Sequence, residues 1–176
     1  AYLTGMAGQN MIYNVIGAAL AYYLQFTILI PAIAVTAIMT VARVWDAFND
    51  PIMGTIVDKT RTKWGKCRPY LIFVPSVIFF LTILCFVNFG FYGQGSKGTD
   101  VLIFAWAAFT YILWGMTYTV GDIPLWGAPA LMTEDDKDRN KLLGLARIFG
   151  GVGAGVTLLC MQPVSLAIGN MLAPSI

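Results

Sequence analysis

The stretch Arg43-Val44-Trp45-Asp46-Ala47-Phe48-Asn49-Asp50-Pro51 gathers three oxygen-bearing side chains within five residues. Asp46, Asn49 and Asp50 stand at i, i+3 and i+4, a spacing that puts them on one face of an α-helix. Two carboxylates and an amide oxygen form a donor set for a hard cation such as Na⁺. Two carboxylates this close also repel, which favours one holding a proton when no metal ion is bound. Cation binding or protonation would each offset their charge. That is the physical core of cation-coupled transport: the empty charged site is costly to move, and the loaded site is less so.

A second group lies in Tyr118-Thr119-Val120-Gly121-Asp122-Ile123-Pro124-Leu125-Trp126. Thr119, Asp122 and Trp126 share a helical face at i, i+3 and i+7. A carboxylate beside an aromatic ring suits a sugar, whose hydroxyls donate to the acid while an apolar sugar face packs on the ring. Pro124 lacks an N–H and frees the carbonyl of Val120, and broken helices often mark transporter binding sites. Near the N-terminus, Gln9, Asn10, Tyr13 and Asn14 cluster, and Asn10, Tyr13, Asn14 and Gly17 form a polar, small-residue stripe. The stripe fits a cavity lining, with helix packing as the alternative. Arg147 is open to three roles: hydrogen-bonding substrate hydroxyls, pairing with Asp122, or snorkelling to the membrane surface.

The elements that carry these residues follow from composition. Only 11% of the 176 residues are charged and 58% are apolar. A soluble domain averages about 25% charged. Too few polar residues remain to cover a water-exposed surface, which argues against most soluble enzymes, nucleic-acid binders and disordered linkers. The absence of His removes His-based triads, general bases and metal ligands. Cys67, Cys85 and Cys160 are odd in number and lack CxxC spacing, so they read as free thiols. No cleavable signal peptide is evident.

Five apolar segments run over about 2–30, 32–57, 70–91, 101–132 and 142–168. Each exceeds the ~20 residues that cross a ~30 Å hydrocarbon core as helix. Backbone groups in lipid must be satisfied internally, so an all-α membrane protein with five transmembrane helices is expected. Ile30-Pro31 makes a tight turn, Asp58–Arg68 is a basic loop, Tyr92–Asp100 is glycine-rich, and Thr133–Lys141 is densely charged. Thr133 with Asp136 reads as a capping box variant for the fifth helix.

The loops after the second and fourth segments hold eight of the eleven Lys and Arg, and the opposite side holds only Lys97. The positive-inside rule places both loops and the N-terminus in the cytoplasm. Gly151 and Gly155 form a GxxxG pair expected at a close helix–helix contact. Arg43, Asp46, Asp50, Asp122 and Arg147 fall within the segments rather than the loops. Each costs at least ~2.5–3.5 kcal/mol near a helix centre, so they mark either a functional site or an ion pair inside the bundle.

These segments resemble the glycoside–pentoside–hexuronide cation symporters, a branch of the major facilitator superfamily that includes the melibiose carriers. The likeness rests on Arg43 through Gly54, continuing through Asp58 to Pro69, and on Tyr111-Ile112-Leu113-Trp114-Gly115-Met116-Thr117-Tyr118-Thr119 followed by Asp122-Ile123-Pro124 and Trp126. It implies that Asp46, Asn49 and Asp50 form the cation site, with Thr119 and Asp122 closing it and Na⁺, Li⁺ or H⁺ as the coupling ion. It implies that Asp122 is shared between sugar and cation. It places Tyr118, Trp126 and Arg147 in the sugar pocket beside the Gln9, Asn10, Tyr13 and Asn14 cluster.

The resemblance also makes Gly54, Asp58, Lys59, Arg61, Gly65, Lys66 and Arg68 part of a cytoplasmic gating loop. Melibiose-type members carry a Lys-Asp pair where this chain has Gln9-Asn10, so the galactoside-binding acid has no counterpart here. A carrier of this superfamily has twelve helices. The expected architecture is therefore the first five helices of the N-terminal bundle, in one transmembrane domain over 1–176. The C-terminal half is the implied partner, the cell membrane the implied location, and five helices alone should not transport. The implied substrate is a sugar or glycoside. No enzymatic activity, resident cofactor or nucleic-acid partner is expected. A lysolipid carrier of the same superfamily and a non-transporting membrane scaffold are the alternatives. A lipid pocket should be more apolar than the Asn10, Tyr13, Asn14 stripe, and a scaffold leaves the deep acids unexplained.

Overall fold

A computed structural model describes residues 2–63, 65–87, 90, 92–93 and 95–172, with side chains at 162 and 164–172 left outside the description. The chain is helical: α1 (Tyr2–Asn14), α2 (Ala32–Lys59), α3 (Arg68–Cys85), α4 (Lys97–Met132) and α5 (Asp136–Leu172). Residues 88, 89 and 91, counted in the third apolar segment, lie outside the description. The first segment continues past α1 as two π-helical stretches, Val15–Leu20 and Tyr23–Thr27. Its turn into α2 holds Leu29 in the left-handed region, at φ 69°. Pro31 then caps α2.

Among the described residues, Arg68–Cys85, Lys97–Met132 and Asp136–Met161 are long and apolar enough to cross a membrane. The chain is a multi-pass membrane protein. The helix α2 has the length, at 28 residues, but Arg43, Asp46, Asn49 and Asp50 offset its apolar half. The first segment is polar at Gln9, Asn10 and Asn14, and its regular α-helix stops at Asn14.

Two compact units are formed, one of 1–19 with 133–176 and one of 20–132. In the second unit, α4 packs against both α2 and α3. Its buried side includes Ile103, Ala107, Tyr111 and Trp114, while α3 contributes Val74, Ile78, Leu81 and Cys85. The spacing is i, i+4, i+8, i+11 on α4 and i, i+4, i+7, i+11 on α3, each one face of a helix. The other side of α3 is equally apolar: Phe73, Phe79 and Phe80 are 61%, 62% and 65% exposed. Such a face is untenable in water and ordinary against lipid.

In the first unit, α1 packs against α5. The contact face of α5 carries Ala146, Gly150, Gly153 and Thr157, all buried. A Cβ on Gly153 would stand 2.5 Å from the Ala7 carbonyl oxygen, whereas Gly151 and Gly155 have open space. The close approach therefore uses Gly150 and Gly153, not the expected Gly151–Gly155 pair. The fifth helix is capped by Asp135, whose Oδ1 accepts from Lys137 N–H at 2.8 Å. Thr133 accepts from Asp135 N–H at 3.2 Å instead of forming a box with Asp136. α4 runs unbroken through Pro124 and Pro129, so the expected break at Pro124 does not occur.

Gly153→Ala should destabilise the protein by ~1–3 kcal/mol, because the backbone at Ala7 cannot yield. Gly151→Ala should be neutral or stabilise by up to ~1 kcal/mol through helix propensity. The midpoint of detergent-induced unfolding in mixed micelles checks both, and equal effects would contradict this packing register.

Candidate cation and substrate site

The α2 acids face α4. Thr119 Oγ1 donates to Asp50 Oδ1 at 3.1 Å, and the same hydroxyl lies 3.2 Å from the Gly115 carbonyl oxygen of its own helix. One turn back, a Cβ at Gly115 would stand 3.3 Å from Asp46 Oδ1. Gly115 thus leaves room for the first carboxylate, and Thr119 holds the second. Arg43 Nη1 lies 3.9 Å from Asp46 Oδ2 across one helical turn. Asn49, between the acids in sequence, is only 8% exposed, and its Nδ2 has no hydrogen-bond partner among the described residues. This arrangement offers carboxylate, amide and hydroxyl oxygens, hard donors suited to an alkali cation, and carboxylates able to take a proton.

Asp122 lies one turn beyond Thr119 on α4. It accepts a hydrogen bond from Trp126 Nε1 at 3.1 Å, so the shared face read from the spacing is an actual contact. The Tyr118 ring stacks on Trp114, with centroids 5.0 Å apart. Among the described residues, no three acidic or thiol side chains converge on a metal-sized site. Asp50 and Thr119 come together, but Asp46, Asp50 and Asp122 do not form one three-carboxylate group. No local signal in the sequence gives Gly115 a role. Its part emerges only when α2 and α4 meet.

The remaining substrate candidates lie in the other unit. Asn10 Nδ2 donates to the Met6 carbonyl at 2.9 Å, and Asn14 Nδ2 to the Asn10 carbonyl at 2.8 Å. A Cβ at Gly150 would stand 2.7 Å from Asn10 Nδ2, so Asn10 sits in a notch of α5 and takes part in helix packing. Gln9 and Tyr13 are half-buried, and Arg147 is exposed on α5.

The basic loop is shorter than its motif. Gly54 lies within α2, which runs to Lys59. Asp58 pairs with Lys66 at 2.7 Å, Thr60 Oγ1 lies 2.7 Å from Tyr70 OH, and Gly65 takes φ 95° in the turn that its N–H closes on Thr62. Lys59, Arg61 and Arg68 are exposed around it.

Residues 1–173 match the family model described as MFS/sugar transport protein, and the chain belongs to that family. It is 30% identical over 94% of its length to the "Uncharacterized symporter YnaJ" of Bacillus subtilis, covering 34% of that protein. It is 29% identical over 91% of its length to the "Glucuronide carrier protein homolog" of Escherichia coli, covering 33%. To the "Isoprimeverose transporter" of Lactiplantibacillus pentosus it is 28% identical over 92%, covering 32%. The chain thus spans about a third of the length of these relatives.

Burial pushes the Cys67 thiol up from its ordinary value, the Lys66 ammonium opposes this, and Asp58 adds to it. A raised pKa keeps the neutral thiol to higher pH, and the thiolate is the reactive form. Maleimide labelling of Cys67, with the other two cysteines replaced, should be slow at pH 7–8. It should still accelerate above pH ~8.5, the ordinary value of an exposed thiol. A rate that levels off below that pH would contradict the burial.

Proposed function

We propose that this chain supplies the first five membrane spans, one N-terminal transmembrane domain, of a carrier that moves a sugar or glycoside by cation-coupled symport. The observation that carries this reading is the pair of α2 carboxylates set against α4, with Asp50 bonded to Thr119. Asp46, Asn49, Asp50 and Thr119 would hold Na⁺, Li⁺ or H⁺ as cargo, with Asp122 one turn away on α4. Asp122, Trp126 and Tyr118 would meet the sugar, and the family resemblance makes Gln9, Asn10, Tyr13, Asn14 and Arg147 further candidates for substrate contact. The names of the glucuronide and isoprimeverose relatives support a glycoside-class substrate.

Coupling follows from electrostatics. Without a cation, two adjacent carboxylates must cross a low-dielectric region during alternating access, at a high desolvation cost. A bound cation or proton lowers that cost. α4 carries both Thr119 and Asp122, three residues apart, so cation occupancy at Asp50 bears on the helix turn that presents the sugar acceptor. The charge distribution supports cytoplasmic placement of the N-terminus and of the α2–α3 and α4–α5 loops in the cell membrane. The remaining helices, in a C-terminal half, would supply the opposite wall. The loop from Gly54 to Arg68 would gate by contact with that half.

The test is uptake of a glycoside panel by the full-length carrier under imposed Na⁺ or pH gradients. Wild-type uptake should follow one of these gradients, and Asp46→Cys should lose that dependence. Unchanged cation dependence in Asp46→Cys would contradict the cation-site assignment. Asp122→Asn removes a charged acceptor and should raise the sugar KM about 10- to 150-fold. An unchanged KM would remove Asp122 from the pocket.

A further inference from the structure

One turn before Tyr118, Trp114 is only 3% exposed. Its ring stacks on Tyr118 with centroids 5.0 Å apart and planes 17° apart. Its indole N–H donates to Thr82 Oγ1 of α3 at 3.0 Å. Thr82 in turn donates its proton to the Ile78 carbonyl at 2.8 Å. A hydroxyl has one proton, and this one is committed to Ile78, so a lone pair is left to receive the indole. An indole N–H only donates. The direction of both bonds is therefore determined, and the indole N–H is held toward Thr82.

Thr82 lies beside Leu81 on α3, among the buried residues Ile78, Leu81 and Cys85. A hydroxyl among such neighbours needs a reason, and the Trp114 N–H supplies one. The same bond ties α3 to the turn of α4 just before Tyr118, Thr119 and Asp122. We propose that Trp114, latched to Thr82, is a positioning residue that holds the Tyr118 ring in its substrate-receiving orientation. This rests on the assignment of Tyr118 to the sugar pocket. A ring whose plane is already held loses less freedom when substrate arrives, which favours binding. The hydrogen bonds of the latch run to Thr82 and Ile78 of α3 and not to the cation-site side chains, so cation binding should not depend on it.

The test is equilibrium glycoside binding to the purified full-length carrier at saturating cation, with cation affinity measured separately without sugar. Thr82→Val and Trp114→Phe should each weaken sugar binding about 3- to 10-fold. Both should leave cation affinity within about twofold of wild type. Thr82→Ser keeps the acceptor and should bind as wild type does. In a Tyr118→Ala background, Thr82→Val should cost nothing further, because the latch acts only through that ring. Losses that add in full in that background would overturn the proposal, as would a parallel fall in cation affinity. Sugar affinity unchanged by Tyr118→Ala would remove Tyr118 from the pocket, so the pocket assignment and the latch would fall together. The two failures are therefore distinguishable.

Discussion

Two carboxylates one helical turn apart, on a helix packed against the apolar membrane-span candidate α4, set the central constraint. Desolvation and mutual repulsion both raise the energy of the doubly ionised state. Neighbouring groups reduce that cost. Thr119 donates to Asp50, Arg43 lies beside Asp46, and Gly115 keeps its part of α4 clear for the Asp46 carboxylate. A site built this way remains sensitive to one more positive charge. In the proposed symport, that sensitivity would make cation occupancy a lever on conformation, as occupancy can only shift an equilibrium by its differential affinity for the two states.

The packing around the site serves the same end. α4 lies against both α2 and α3, so the helix bearing Thr119 and Asp122 is held from two sides while other faces of the bundle carry lipid-compatible apolar side chains. Small residues decide where helices come close. Gly115 does so for α2 and α4, and Gly150 and Gly153 do so for α1 and α5. Without a hydrophobic drive between helices in lipid, such close approaches and the few interhelical hydrogen bonds carry most of the specificity.

Much of this was legible in the sequence. The i, i+3, i+4 spacing of Asp46, Asn49 and Asp50 survives intact on α2, and the Asp122–Trp126 pair is a real hydrogen bond. Long apolar segments between charged loops announced an all-α membrane protein, because hydropathy is additive along a chain. Tertiary register is not additive in that way. Successive helical residues differ by about 100° around the axis, so a run of glycines does not reveal which ones meet a neighbour. The contact fell to Gly150 and Gly153 instead of Gly151 and Gly155. The bond from Thr119 to Asp50 spans 69 residues, and no local pattern encodes it. The cap of α5 moved to Asp135, and Pro124 left α4 intact, because several local solutions to the same backbone demand compete on small energy differences.

The most direct test is a titration of the purified full-length protein with Na⁺, Li⁺ and H⁺, comparing wild type with an Asp46→Asn/Asp50→Asn double variant. Wild type should take up one coupling cation in competition with protons, and the double variant should lose this binding while remaining folded. Cation binding of the same stoichiometry and affinity in the folded double variant would contradict it.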